Sequence, residues 1–303
     1  MRLLTRSDFD GLASAVLLKH VGVIDSWKFV HPKDMQDGLV EVTENDVLAN
    51  VPYVPGCGMW FDHHLSESAR VGKDVMVKGE YRIAPSAARV IYEYYGGKDK
   101  IPEFDDFVIA VDKVDSGQLS IEEIQHPEGW VLLGFLMDPR TGLGRFREFT
   151  IPNYKLMEDL IGDCANMTVD EILNIPDVVE RIELYREQTE LFDEMVRSHT
   201  KIHDNVICTA FRGVSPIYVG NRFMLYSMYP EQNVSIWIVD GRAGLNTAIA
   251  VGYSVVNRSC TANIGELMLK HGGGGHVMVG TCQVDIDKAD DAIEDIIDNL
   301  RGK

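Results

Sequence analysis

The chain has 303 residues, 45% hydrophobic and 25% charged, which suits two compact domains and excludes a disordered or low-complexity protein. Its formal net charge of −18 excludes a protein that coats long nucleic acid, because such binding rests on neutralising many phosphates. No apolar run has the length of a bilayer span. The opening MRLLTRSDFDG lacks the apolar core of a leader peptide, and five scattered cysteines form no C-x-x-C pair. The expectation is a soluble cytoplasmic protein with reduced thiols and no membrane partner.

Short apolar runs at Arg2–Thr5, Trp27–Val30, Val47–Val51 and Met59–Phe61 read as strands. Gly11–His20, Pro85–Tyr95 and Phe104–Val114 read as helices, with Pro85 suited to a first helical position. Their alternation predicts an α/β domain with a parallel sheet covered by helices. The segment Trp130–Asn153 carries Arg140, Arg145 and Arg147 with Gly142 and Gly144, and reads equally as a substrate loop or a solvated connector. Val178, Ile182, Tyr185, Phe192 and Met195 recur at helical spacing and predict a long joining helix over Pro176–Thr200. Strands are then expected at Val206–Ala210, Phe223–Met228, Val234–Val239, Thr247–Val251 and Val277–Val284, and helices at Ala262–His271 and Ala289–Leu300. The organisation predicted is a domain over 1–165, a helical linker over 166–204 and a smaller α/β domain over 205–303.

Three acidic or histidine groups belong together in this scheme. Asp8 and Asp10 follow the first strand, Asp62, His63 and His64 follow the strand at Met59–Phe61, and Asp112 and Asp115 end an apolar helix. Ligands of open α/β sheets bind beyond the carboxyl ends of the strands, so the first two groups are expected on one rim. Carboxylates packed together need a cation or a proton. Mixed oxygen and imidazole donors suit manganese better than structural zinc, and such an ion activates water and draws charge from a phosphoryl oxygen. Taken singly, an Asp-x-Asp pair is often a helix cap and adjacent histidines can be a surface accident.

His271-Gly272-Gly273-Gly274-Gly275-His276 is the second signal. Consecutive glycines suit a backbone that approaches a ligand closely or aims N–H groups at an anion, although a flexible connector has the same composition. Arg258, Ser259 and His276 could add contacts to a phosphate. From Asn205 to Val284 the sequence holds five basic residues (Arg212, Arg222, Arg242, Arg258, Lys270) against three acidic ones, so a short anion could be held there.

Ser7-Asp8-Phe9-Asp10-Gly11, Asp62-His63-His64, Asp115-Ser116-Gly117 and Gly272 to His276, in this order, resemble the DHH phosphoesterases with a C-terminal DHHA1 domain. The resemblance implies a manganese-bearing N-terminal domain (Mg2+ or Co2+ being substitutes), a linker helix and a substrate-binding second domain. It implies metal ligation by Asp8, Asp10, His63 and Asp115, with Asp112 the second choice for the last position. It places His64 near the transferred phosphoryl group, with Arg258 and His276 gripping substrate beside Ser259 and the glycines Gly273, Gly274 and Gly275. Asp62, His64 and Arg6 are the candidate catalytic side chains. Two positions depart from the family pattern: Arg6 stands where many members have histidine, and Asn50 where many have a metal-bridging aspartate. Arginine has no acceptor for a cation, so one expectation is a single ion held by Asp10, His63 and Asp115.

The expected reaction is hydrolysis of a phosphodiester in a short oligonucleotide or a small linear or cyclic nucleotide by metal-activated hydroxide. Polyphosphate or another phosphoanhydride is the alternative substrate. A non-enzymatic nucleotide-binding regulator is the alternative of another class, motivated by Arg6 and Asn50. The sequence leaves room for a homodimer.

Overall fold

A computed structural model describes residues 1–64, 67, 77–241 and 244–303; Arg242 lies outside the described residues. It divides into two compact units, residues 1–118 with 126–185 and residues 119–125 with 186–303.

The first unit is built on five parallel strands: β1 (Arg2–Thr5), β2 (Ser26–Phe29), β3 (Asp46–Ala49), β4 (Met59–Asp62) and β5 (Lys78–Tyr81), in the order β2-β1-β3-β4-β5. β3 and β4 are buried at every residue, as strands covered on both faces must be. The order reverses between β1 and β3, which opens a crevice at their carboxyl ends. Thr5 pairs with Ala49 and Ala49 with Phe61, so Arg6, Asn50 and Asp62 start from one rim. Asn50 ends β3 with φ 55, a left-handed conformation that asparagine tolerates better than most residues.

Helix α1 (Phe9–His20) is buried continuously from Phe9 to Leu18, so it is the central helix of this unit. It packs against the helices Ala87–Tyr94, Asp105–Ser116, Gly129–Met137 and Asn153–Asp163. Ser86 caps the first of these by accepting from the Arg89 N–H at 2.9 Å, which leaves Pro85 outside the helix rather than at its first position. The segment Trp130–Asn153 begins as neither a loop nor a connector. Gly129–Met137 is a helix buried at every residue from Val131 onward, followed by 3₁₀ turns at Pro139–Thr141 and Leu143–Arg145. The long helix Pro176–Ser198 forms as expected, and the chain passes from the first unit to the second within it.

The second unit holds six strands: β6 (Thr200–His203), β7 (Val206–Ala210), β8 (Val234–Asp240), β9 (Asn246–Tyr253), β10 (Gly274–Gly275) and β11 (Val279–Asp285), ordered β10-β11-β9-β8-β7-β6. Only β7 and β8 run parallel among these pairs. The helices Ile264–Lys270 and Ala289–Leu300 bury Ile264, Met268, Ile296 and Leu300 against Ile236, Ile249 and Val251. Phe223–Met228 is not a strand: Asn221 accepts from the Phe223 N–H at 2.9 Å and a short helix follows over Met224–Met228. Local capping prevails there over the strand preference of the aromatic residues. No helix of the described residues is long and apolar enough to cross a membrane.

Candidate metal centre and active site

Asp8 is the N-cap of α1 and is buried. Its Oδ1 accepts from the Gly11 N–H and from Asn50 Nδ2, both at 3.0 Å, and its Oδ2 pairs with Arg6 Nε at 3.1 Å. The carboxylate is therefore neutralised inside the protein by one guanidinium and two neutral donors.

Asp10, two residues on, is almost fully buried and points the other way. Its oxygens accept from the Ala87 and Ala88 N–H groups at 2.9 and 2.8 Å, at the N-terminus of the Ala87–Tyr94 helix. Burial, then the charges of Asp115 and Asp8, push its pKa well above the usual carboxylate range despite those two bonds. Such a group calls for a compensating positive charge.

His63 supplies the orientation that a ligand needs. Its Nδ1 lies 3.1 Å from the Ala84 carbonyl, which can only accept, so Nδ1 donates there and Nε2 is the nitrogen left to face the carboxylates. Nε2 is buried without a hydrogen-bond partner and lies 3.6 Å from Asp10 Oδ2 and 3.4 Å from Asp115 Oδ2. Donor atoms of Asp10, His63 and Asp115 all fall within 4.8 Å of one another. Two carboxylates and an orphaned imidazole nitrogen fit a hard or borderline divalent cation. Asp62, His63 and His64 also lie within that distance, but His64 Nδ1 is committed to Asp62 Oδ1 at 2.8 Å.

Burial acts to lower the His64 pKa, but the hydrogen bond and charge of Asp62, with Asp115, outweigh burial and the Arg6 charge and raise it to about 9. His64 is thus a cation at neutral pH. It lines a cleft of about 210 Å³ together with Arg6, Asn50, Asp62, Gln36 and Val51. Asn50 Oδ1 and Asp62 Oδ2 are buried and unpartnered among the described residues.

Asp112 stands apart from this constellation. It accepts from Ser86 Oγ at 2.7 Å and pairs with Arg89 Nη2 at 2.7 Å, while Asp115, one turn later on the same helix, faces His63. The N–H groups of Ala87 and Ala88 and the Ala84 carbonyl escaped the sequence reading because backbone groups leave no side-chain signature.

In the second unit, Arg258 and Ser259 are exposed, and Ser259 Oγ accepts from Asn233 Nδ2 at 3.1 Å. The glycine run is a hairpin strand: Gly274 and Gly275 pair with Thr281 and Gly280. A Cβ at Gly273 would stand 2.1 Å from the Thr281 carbonyl oxygen, so close backbone packing accounts for glycine there. The N–H groups of Gly272, Gly273 and His276 are taken by Leu269, Met268 and Val279 carbonyls, so these three are not open donors for an anion. His276 is half-buried.

No family model matches the chain, and no curated protein matches it. Among solved structures it is similar to PggH, a pGpG-specific phosphodiesterase from Vibrio cholerae, with 47% identity over 99% of this chain and 98% of that one and a TM-score of 0.82. The fold is shared with the DHH domain of a member of the s1p family of ribosomal proteins, at TM-score 0.56 and 13% identity over 99% of this chain and 86% of the other. It is also shared with RecJ from Thermus thermophilus in complex with Mn2+, at TM-score 0.54 and 12% identity over 99% of this chain and 51% of that one. With the full-length likeness to PggH and the Asp10–His63–Asp115 cluster at the sheet's switch point, the chain belongs to the DHH family of phosphoesterases.

Proposed function

We propose that this enzyme hydrolyses the phosphodiester bond of a short linear dinucleotide, with pGpG the first candidate, using one divalent cation held by Asp10, His63 and Asp115. The observation that carries this reading is the orphaned His63 Nε2 between two carboxylates, beside a His64 that is charged at neutral pH. The full-length likeness to a pGpG-specific phosphodiesterase supports the substrate class. Manganese suits the donor set, with magnesium or cobalt as substitutes. When bound, the cation supplies a Lewis acid that acidifies water and draws phosphoryl charge.

The protein's own groups do the rest. His64, charged through Asp62, offers its Nε2 proton to a phosphoryl oxygen or to the departing sugar oxygen. Arg6 and Asn50 neutralise Asp8, so that carboxylate shapes the site without ligating, contrary to the family pattern. Arg258, Ser259 and His276 of the second unit are assigned to the remainder of the substrate. The same reading assigns the glycines Gly273 to Gly275 a scaffold role. The five unpaired thiols suit a cytoplasmic enzyme.

The test is a manganese-dependent hydrolysis screen over pGpG, other linear dinucleotides, cyclic dinucleotides and polyphosphate, with Asp115→Asn and His63→Ala as controls. Cleavage of linear dinucleotides alone, lost in both variants, is expected. Preferential release of phosphate from polyphosphate would establish the phosphoanhydride alternative, and nucleotide binding without turnover would establish the regulatory one.

A further inference from the structure

The Gly129–Met137 helix packs against the side chains of Phe9 and Val114, the chain neighbours of Asp8, Asp10 and Asp115. A Cβ at Gly134 would lie 2.8 Å from Phe9 Cδ1 and 3.0 Å from Val114 Cγ2. Phe9 sits between Asp8 and Asp10, and Val114 precedes Asp115. Glycine therefore lets this helix pack on the two segments that carry the carboxylates.

The helix ends at Asp138, whose buried Oδ1 accepts twice from Arg140: from its backbone N–H at 2.8 Å and from its Nε at 2.7 Å. Thr141, also buried, donates to the Phe135 carbonyl at 2.6 Å, and Leu143 is buried behind it. The turn is thus anchored on both sides of Arg140. One edge of the guanidinium is fixed by Asp138. Its two Nη groups have no hydrogen-bond partner among the described residues, and 52% of the side chain is open to solvent.

The charges around it are informative. Burial acts to lower its pKa, but Asp138 and then Asp8 and Asp115 hold it above its ordinary value, so the guanidinium stands within electrostatic reach of the metal centre. A site ringed by carboxylates repels the anion it must bind. An arginine with one edge pinned and the other open is suited to fork over phosphate oxygens there.

We propose that Arg140 grips the non-bridging oxygens of the phosphoryl group at the Asp10–His63–Asp115 cluster, with Asp138 as its positioning residue. This rests on that cluster being the reaction centre.

The test uses the full chain loaded with Mn2+, comparing wild type with Arg140→Ala, Arg140→Lys and Asp138→Asn. Inorganic phosphate is titrated calorimetrically, Mn2+ affinity and thermal melting are measured, and KM and kcat are taken for a linear dinucleotide. Arg140→Ala is expected to weaken phosphate binding and raise KM by about tenfold or more, in line with a lost charge-assisted bond, with Mn2+ affinity retained. Arg140→Lys keeps the charge without the fork and should recover part of both. Asp138→Asn keeps an acceptor oxygen without its charge and should lie between wild type and Arg140→Ala. Phosphate affinity and KM within twofold of wild type in Arg140→Ala would overturn the proposal. So would a parallel loss of Mn2+ affinity, or a wild type that binds no phosphate. A wild type that binds phosphate through Arg140 but cleaves no dinucleotide would leave the proposal standing and remove the substrate assignment.

Discussion

Asn50 donates its side-chain amide to Asp8 Oδ1 at 3.0 Å, across the gap between β3 and β1. With Arg6 on the other carboxylate oxygen, both oxygens of Asp8 are engaged by donors of the chain itself. On the proposed single-ion reading, the fixed charge of Arg6 stands in for a second ion at Asp8.

The first prediction concerns metal number. Wild type should bind one Mn2+ per chain by elemental analysis and calorimetry. The double variant Arg6→His with Asn50→Asp removes the guanidinium and sets a second carboxylate beside Asp8. Two like charges at such a distance require a cation or a proton. The variant should therefore bind two ions. Two tightly bound ions in wild type would show that Arg6 does not do the work of a cation.

A second prediction follows from the Asp62–His64 pair. His64 has a pKa of about 9, and its charged form is the one assigned to the reaction. Activity should hold through neutral pH and fall as pH rises through about 9. Asp62→Asn removes the charge and weakens the hydrogen bond that raise the pKa, while burial and Arg6 continue to lower it. The alkaline limb should move toward acid by about two pH units or more. The same group bears on stability. Its folded pKa exceeds the unfolded value, so its contribution is complete below about 6.5 and disappears as pH rises through about 9. A pH–rate profile that Asp62→Asn leaves in place would remove His64 from the mechanism.

Much of this site could be read in the sequence, because its elements obey local rules. β1 and β4 are covered on both faces and read as short apolar runs, so the residues after them could be assigned to a rim. The Gly129–Met137 helix was illegible for the opposite reason. It is apolar on every side, so no polar face marks its period. β5 reads KGEY and is half-exposed, which gives no strand signal at all. Asp112 and Asp115 stand three residues apart on one helix, and only tertiary packing decides that Arg89 takes the first and His63 the second.

The third prediction separates those two aspartates. Asp115→Asn should abolish Mn2+ binding, because it removes one of two carboxylates facing His63 Nε2. Asp112→Asn should leave Mn2+ affinity within twofold of wild type. Its cost is to the fold: Arg89, largely buried, loses its charged partner, at about 1–3 kcal/mol. Chemical denaturation and metal titration on both variants check this. Loss of metal binding in Asp112→Asn alone would exchange their roles.

The last prediction concerns metal removal. Asp10 binds its proton more tightly in the folded protein than in the unfolded chain, because burial and the charges of Asp115 and Asp8 oppose its ionisation. Without metal, stability should therefore decline as pH rises above the ordinary carboxylate range toward the raised folded value. A divalent cation replaces that proton and reverses the trend. Its effect should be larger at pH 8 than at pH 5, where protons compete for the same oxygens. At a hundredfold excess over the dissociation constant, binding contributes about 2.7 kcal/mol to stability. Melting curves with Mn2+ or with a chelator, at both pH values, measure this directly. In Asp10→Asn the neutral amide needs no compensation, so both the pH trend and the Mn2+ response should shrink together. If the variant kept a full Mn2+ response, Asp10 would not be a ligand, and the cation would have to be sought elsewhere on the rim.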